Sequence, residues 1–322
     1  MTTVETGARL HFGFHNLALA HDRLYGGVGV ALSEPRIVVE AEPAASVRCD
    51  EPAAEGYVRD AVDLLGVEGA EVRVPRCPRR HIGFGSGTQI ALSCLVAVAR
   101  AQGREVVARE YAPDLGRGGR SGVGVATFED GGFVVDAGHP TEQFTSAPPE
   151  RGDWDVPRPI ARHRLPEAWR FVLVTPDVPT GKSGTPEEES IRAVVERAGP
   201  GIADEIATLL VRRLLPAVSE GDIGAFGDAV ARLGRLNGAW YADEQGGVYR
   251  PPAGKLVDRL SDSPAVHGAG QSSWGPTVYG VTREPDLEAA VEAARRALAE
   301  RGIDGEVQTA TPRNDGASVV DE

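Results

Sequence analysis

The sequence predicts an α+β chain of two domains. Three observations carry this. The chain has 322 residues, about twice the ~150 residues of a common domain. Short β-branched runs, a hairpin signal and amphipathic runs are mixed without the regular alternation of a doubly wound parallel sheet. A polar, proline-rich stretch from Thr145 to Pro159 breaks the chain near its middle. The expected division is therefore 1–155, 160–312 and a polar tail over 313–322.

Arg36 to Glu42 and Glu71 to Val74 are β-branched runs and read as strands. Between them, Tyr57 to Leu65 has the spacing of an amphipathic helix, and Gln89 to Gln102 is a more apolar helix suited to burial. Val123 to Phe128 and Gly132 to Asp136 flank Asp130-Gly131, a dipeptide that favours a hairpin turn, so both runs are expected to be strands. Beyond the junction, Trp169 to Thr175 has the composition of a buried strand. Helices are expected over Pro186 to Glu196, Ile202 to Leu215, Ile223 to Leu236 and Leu287 to Glu300, with a closing strand over Glu306 to Ala310. Asn314 to Glu322 is polar and expected to fray.

Composition bounds the function. With 41% hydrophobic and 25% charged residues the chain can build an ordinary globular core. Its formal charge of −13 opposes the phosphate backbone of nucleic acid and the anionic surface of a membrane. The longest apolar stretch, Ile90 to Ala99, is interrupted by Ser93 and falls well short of the ~20 residues of a membrane span. The N-terminal residues lack a basic segment followed by an apolar one. Cys49, Cys77 and Cys94 are odd in number and have no CxxC spacing, which fits a reducing compartment. A soluble cytoplasmic protein is expected.

The chemistry concentrates in His81-Ile-Gly-Phe-Gly-Ser-Gly-Thr-Gln89. Gly83, Gly85 and Gly87 stand at alternate positions and lead into a helix, whose N-terminus offers unpaired N–H donors and the positive end of a dipole. A phosphate is the natural ligand. The loop is neither a Walker A sequence nor GxGxxG. A plain strand-to-helix turn, with Ser86 or Thr88 as N-cap, would have the same composition.

The loop resembles the second motif of the galactokinase, homoserine kinase, mevalonate kinase and phosphomevalonate kinase (GHMP) superfamily. Its Gly-Ser-Gly-Thr-Gln form is similar to the β-ribofuranosylaminobenzene 5′-phosphate synthase branch. Ala8-Arg9-Leu10-His11-Phe12-Gly13, Tyr25-Gly26-Gly27-Val28-Gly29, Gly116-Arg117-Gly118-Gly119-Arg120-Ser121-Gly122 and Gly131-Gly132-Phe133-Val134-Val135-Asp136 match that branch in order. So do Gly181-Lys182-Ser183-Gly184 and Gly270-Gln271-Ser272-Ser273-Trp274-Gly275-Pro276. The resemblance implies a GHMP-kinase-like fold: an N-terminal α/β domain carrying the phosphate loop, a ferredoxin-like C-terminal domain, and a site in the cleft between them. It also implies a homodimer that uses Mg²⁺ to join phosphoribosyl diphosphate to a substituted benzoate, 4-aminobenzoate or 4-hydroxybenzoate, in methanopterin-type cofactor synthesis. Diphosphate and CO2 would be released. The other reading is a small-molecule kinase. Kinases of the superfamily carry a carboxylate base in a Ser-Gly-x-Asp context, and this chain has Ser121-Gly122-Val123-Gly124. General-base catalysis is worth about 10²–10⁴-fold in rate, so a glycine there disfavours alcohol phosphorylation.

The residues expected at the site follow. Gly83, Gly85, Ser86, Gly87, Thr88 and Gln89 would bind phosphate, with Ser86 and Asp136 as Mg²⁺ ligands. Asp136 ends a buried-type strand and would serve equally as a cap for the next turn. Arg117 and Arg120 lie among glycines, and their guanidinium forks match carboxylate or phosphate. Lys182, one of two lysines, suits a phosphate as a point charge. His139, just past a strand, could hydrogen-bond to phosphate or carboxylate. His11 falls within the first matching segment. Its spacing from His15, four residues across Gly13, does not make a helical metal pair. Asp136, His139 and Lys182 would be the catalytic groups. Gln271, Ser272 and Trp274 would close over the substrate, with the indole stacked on its ring. Trp240-Tyr241 forms a second candidate wall. Each of these has an ordinary alternative as a surface arginine, a loop histidine or a core tryptophan.

Overall fold

The computed structural model describes residues 1–144, 149–180 and 184–321. The first half contains β1 (Thr2–Thr6), β2 (Arg9–Asn16), β3 (Arg23–Ala31), β4 (Ile37–Pro43), β5 (Arg48–Cys49), α1 (Pro52–Leu65), β6 (Ala70–Arg76), α2 (Ser86–Ala101) and α3 (Ala108–Tyr111). It continues through α4 (Val123–Glu129), β7 (Phe133–Asp136), β8 (His139–Pro140) and β9 (Pro159–His163). The second half contains β10 (Trp169–Pro176), α5 (Thr185–Arg197), α6 (Pro200–Leu209), α7 (Leu215–Glu220), α8 (Ile223–Gln245) and α9 (Ala253–Ser261). It ends with β11 (Gly268–Gln271), β12 (Val278–Arg283), α10 (Leu287–Ala299), β13 (Gly305–Ala310) and β14 (Ser318–Asp321).

One first-half sheet runs β14-β1-β4-β6-β5 and is covered by α1 and α2, whose apolar faces meet Val4, Ile37, Val39 and Val72. The other runs β2-β3-β7-β9, with β8 beside β3. The second half is an antiparallel sheet ordered β11-β12-β10-β13 with helices between its outer connections, a ferredoxin-like arrangement as expected. The β2-β3-β7 sheet does not close on its own half. Phe12, Phe133 and Trp169 all pack on Phe226 of α8, with ring centroids 6.0, 6.1 and 4.8 Å apart. The largest core therefore spans both halves.

Three expectations change. Val123–Glu129 is a helix, not a strand, so Asp130-Gly131 ends a helix instead of turning a hairpin. Every residue from Val123 to Phe128 is buried, which removes the alternation that a half-exposed strand requires. The C-terminal tail does not fray: β14 pairs antiparallel with β1, Thr2 opposite Asp321 through Glu5 opposite Ser318. The strand β9 pairs with β7 (Phe133 opposite His163), so the first-half sheets extend past the division expected near 155. Thr145 to Pro148 lie outside the described residues.

Candidate active site

The glycine loop enters α2 with Gly85 as N-cap at φ +65°, a left-handed conformation that glycine accepts readily, and no side chain caps the first turn. The expected Ser86 or Thr88 cap is absent. Three arginines surround the loop instead. Arg9, at the start of β2, lies so close beneath Gly85 that a Cβ there would come within 2.8 Å of its Nε. Arg80 and Arg117 are both held by Tyr57 of α1. Their guanidinium groups lie 5.6 and 5.0 Å from its ring centroid, and both donate to its hydroxyl. Arg9 Nε and Nη1, Arg80 Nε and Arg117 Nε are buried without a hydrogen-bond partner. Burial pushes the Arg9 guanidinium down to about 10, opposed by Glu187, and lowers Arg117 as well. With Ser86, Thr88 and Glu187 these arginines line a cavity of about 240 Å³. Donors of this kind suit an anion.

The third glycine loop fixes the geometry from the second half. Ser272 Oγ donates to the Gly83 carbonyl at 2.7 Å and accepts from His11 N at 3.2 Å. A Cβ on Gly275 would sit 2.2 Å from Gly83 N, so the two loops touch backbone to backbone. Gln271 receives Arg250 N and donates to the Ser273 carbonyl. Ser272 and Gln271, expected on substrate, are thus ties within the scaffold. Trp274 is 8% exposed. Its ring meets Tyr241 at 4.7 Å, and it borders the anion cavity and a smaller one of about 50 Å³ beside His11. His11 is buried edge-on to Phe14, and burial holds its pKa well below the usual imidazole range.

Two expected ligands are placed elsewhere. Gln89 is turned inward, accepting from Thr6 Oγ1 at 3.0 Å and donating to the Gly124 carbonyl at 2.8 Å. Three residues into the helix, its side chain has rotated off the loop and ties α2 to β1 and α4. Asp136 is fully buried. Its Oδ2 accepts from Gly27 N, Gly122 N, Val123 N and Ser121 Oγ, and its Oδ1 accepts from Gly138 N. Burial raises its pKa, against the hydrogen bonds from Gly138, Ser121 and Gly27. The carboxylate caps α4 from a neighbouring strand and does not line the anion cavity. Among the described residues, no three His, Cys, Asp or Glu side chains gather as a metal cluster. Lys182 lies outside the described residues.

Gly124 sits inside α4, and a Cβ there would point at the Thr88 side chain, 3.2 Å away. A carboxylate at this position would face the phosphate loop. Glycine leaves the geometry without the base.

A second cavity, of about 370 Å³, opens on the other side of the Arg117–Arg120 loop. Tyr25, His139, Phe144 and Trp154 give it aromatic walls, and Arg120 and Arg192 lie on its lining. His139 Nε2 is 3.2 Å from the Gly118 carbonyl, and burial lowers its pKa. Arg120 bridges the two cavities: it lies 3.6 Å from Glu187, on the anion side, and 3.7 Å from Glu188, on the aromatic side. Sequence reasoning missed Arg9, Tyr57, Arg80, Glu187 and Tyr25. Only Arg9 and Tyr25 had a signal, inside segments already recognised. Tyr57 and Glu187 reach the site from helices whose sequence reads as amphipathic surface.

Residues 214–303 match the family described as GHMP kinases C terminal. The fold is similar to homoserine kinase from Cytophaga hutchinsonii (TM-score 0.67, 15% identity, 99% of this chain and 97% of that one). It is also similar to the Methanococcus jannaschii mevalonate kinase (TM-score 0.63, 13% identity, 97% and 98%). Sequence similarity is stronger elsewhere. The β-ribofuranosylphenol 5′-phosphate synthase of Methanothermobacter thermautotrophicus is 32% identical, over 98% of both chains. That of Archaeoglobus fulgidus is 32% identical over 99% of both. With these relatives matched from end to end and residues 214–303 matching the GHMP kinases C-terminal family, the chain belongs to the β-ribofuranosylphenol 5′-phosphate synthase family, a branch of the GHMP kinase superfamily.

Proposed function

We propose that this enzyme joins phosphoribosyl diphosphate to 4-hydroxybenzoate, forming β-ribofuranosylphenol 5′-phosphate, diphosphate and CO2 in methanopterin-type cofactor synthesis. The phenol in the relatives' names supports the hydroxy acid over 4-aminobenzoate. The observation that carries the reading is the ring of buried, unpartnered arginine N–H groups around a glycine loop that lacks the kinase base.

The chemistry requires an anion cradle and no strong base. The para hydroxyl enriches the ring carbon that bears the carboxylate, and that carbon forms the new bond to the anomeric carbon. The anomeric C–O bond breaks and its electron pair leaves with diphosphate. The ring then loses CO2, and the electrons of that C–C bond restore aromaticity. Arg9, Arg80 and Arg117 stabilise the charge gathering on the leaving diphosphate, where preorganised donors act most strongly. Glu187 is the acidic side chain on the same cavity and stands against the positive charge developing on the sugar. Ser86 and Thr88 offer hard oxygens that would hold Mg²⁺, which would supply charge neutralisation at the leaving group. Asp136, already engaged by five donors, does not fit that role. Lys182 belongs to the same proposal as a phosphate contact, and so do a homodimer and a cytoplasmic location. No helix among the described residues is long and apolar enough to cross a membrane.

Carboxyl-labelled 4-hydroxybenzoate tests the reading directly. Labelled CO2, diphosphate and product should appear one for one, and none without phosphoribosyl diphosphate. A product that retains the label, or phosphorylation of an alcohol by ATP, would overturn it. Sedimentation equilibrium should give twice the 34.0 kDa of the chain.

A further inference from the structure

We infer that the aromatic cavity beside Arg120, and not the space next to Trp274, is the subsite for the ring acid, with the two guanidinium groups of Arg120 and Arg192 as its carboxylate partners. This assignment rests on the synthase reading.

Trp274 borders two cavities: the larger, of about 240 Å³, is the one the buried arginines face and is taken by the anion, and size excludes the smaller. The cavity shared by His11, Tyr241 and Trp274 holds about 50 Å³, well under the ~150 Å³ of a cavity known to take benzene. The cavity beside Arg120 holds about 370 Å³. Its walls suit the ligand. Tyr25, Phe144 and Trp154 offer ring faces and edges to a planar aromatic, and Ile191 closes the apolar side. Arg120 and Arg192 line the same cavity as Tyr25 and are the cationic side chains on it. A ring acid set against these walls would have its carboxylate within the field of two guanidinium forks.

Backbone strain marks the same places. Tyr25, His81 and Ser273 are the non-glycine residues in the left-handed region among those described, at φ +65°, +60° and +54°. Tyr25 lines the aromatic cavity, while His81 and Ser273 line the anion cavity. A bulky aromatic in this region is unusual, and such strain gathers at ligand sites. The loop from Arg117 to Arg120 connects the two cavities, because Arg117 and Gly87 face the anion side and Gly119 and Arg120 the aromatic side. Acceptor and leaving group are thereby placed on opposite sides of one short segment, as bond formation and departure at a single sugar carbon require.

Gln143 is exposed at the edge of the aromatic cavity and Phe144 forms part of its wall, so Gln143→Trp fills the cavity from the surface and Phe144→Ala removes a wall. Each variant should raise KM for 4-hydroxybenzoate by about tenfold or more, with KM for phosphoribosyl diphosphate held within about twofold. Calorimetric titration of 4-hydroxybenzoate into the protein, with and without phosphoribosyl diphosphate, should show the same loss in Gln143→Trp, and the melting temperature should not move. Unchanged ring-acid affinity in both variants of an active enzyme would overturn the subsite and leave the synthase reading standing. Conversely, binding of 4-hydroxybenzoate that Gln143→Trp removes, in a protein that makes no product, would overturn the synthase reading and leave the subsite.

Discussion

A guanidinium buried without a partner is unfavourable, and Arg9, Arg80 and Arg117 each carry such N–H groups. On the proposed function the diphosphate of the substrate is their partner. Arg9→Met removes an unpaired buried charge and keeps much of the volume. It should therefore leave the melting temperature equal or raised, and weaken phosphoribosyl diphosphate by about tenfold or more, a stability–function exchange readable by calorimetry and thermal melting together. Glu187 makes a pH prediction. Burial raises its pKa above the usual carboxylate value, while Arg120 and Arg9 oppose that shift. A raised pKa means the carboxylate takes up its proton at higher pH. If the ionised form is needed against the sugar cation, the acid limb of kcat/KM lies above the ordinary carboxylate range. Glu187→Gln should remove that limb along with most of the activity. Glu188 lies 3.7 Å from Arg120, so in the proposed subsite it would compete with the substrate carboxylate and keep the clamp weak enough for CO2 to leave. Glu188→Gln should accordingly lower KM for the ring acid and slow CO2 release, because a tighter hold on the ground state raises the barrier to losing it.

At the scale of elements, α4 depends on two distant features. Its N-terminal amides, Gly122 N and Val123 N, are capped by Asp136 from β7, not by a local residue. It packs against β3 only because that strand carries glycines: a Cβ on Gly27 would sit 2.0 Å from Ser121 Oγ, and one on Gly29 would sit 2.7 Å from Val123 Cγ1. Gly27→Ala should cost about 1–3 kcal/mol by overpacking, measured by denaturant unfolding. Asp136→Ala should be worse. It leaves Gly27, Gly122 and Gly138 amides buried and unsatisfied, at ~1–3 kcal/mol each. A large loss of stability would confirm the capping role, whereas loss of activity in a protein of unchanged stability would restore Asp136 as a metal ligand. The hairpin reading of this region failed for a physical reason. Val123, Val125 and Thr127 alternate like a strand, but a helix buried all round imposes no periodicity of its own.

The whole molecule is joined more tightly than two domains on a proline-rich hinge. Phe226 draws β2, β7 and β10 into one core, and the glycine loops around Gly83 and Gly275 meet at backbone distance. The C-terminal segment completes this closure. Asn314 pairs with Leu165 through both its side-chain groups, at 2.8 Å each, and β14 covers the outer edge of β1. Deleting residues 314–322 should therefore lower the melting temperature by several degrees and expose a strand edge prone to self-association. A frayed tail would leave both the melting curve and the sedimentation profile unchanged.

What can be read locally survived in the structure. The alternate glycines at 83, 85 and 87 require close backbone approach whatever surrounds them, and the apolar period of Gln89 to Gln102 requires a buried helix, found as Ser86–Ala101. Gly124 in place of a carboxylate is likewise visible in the chain and separates the chemistry from alcohol phosphorylation. Tertiary structure decided what each polar side chain faces. Asp136 and Gln89 carry the right chemistry for a ligand site, but packing made Gln89 a tie of α2 to β1 and α4, and Asp136 a tie of β7 to β3 and α4. Arg9, Tyr57 and Glu187 are distant in sequence, and only the folded chain brings them to one cavity or directly behind it. A side chain's direction follows from contacts made far along the chain, and for that reason the loop and Arg117 were legible while Arg9, Arg80 and Glu187 were not.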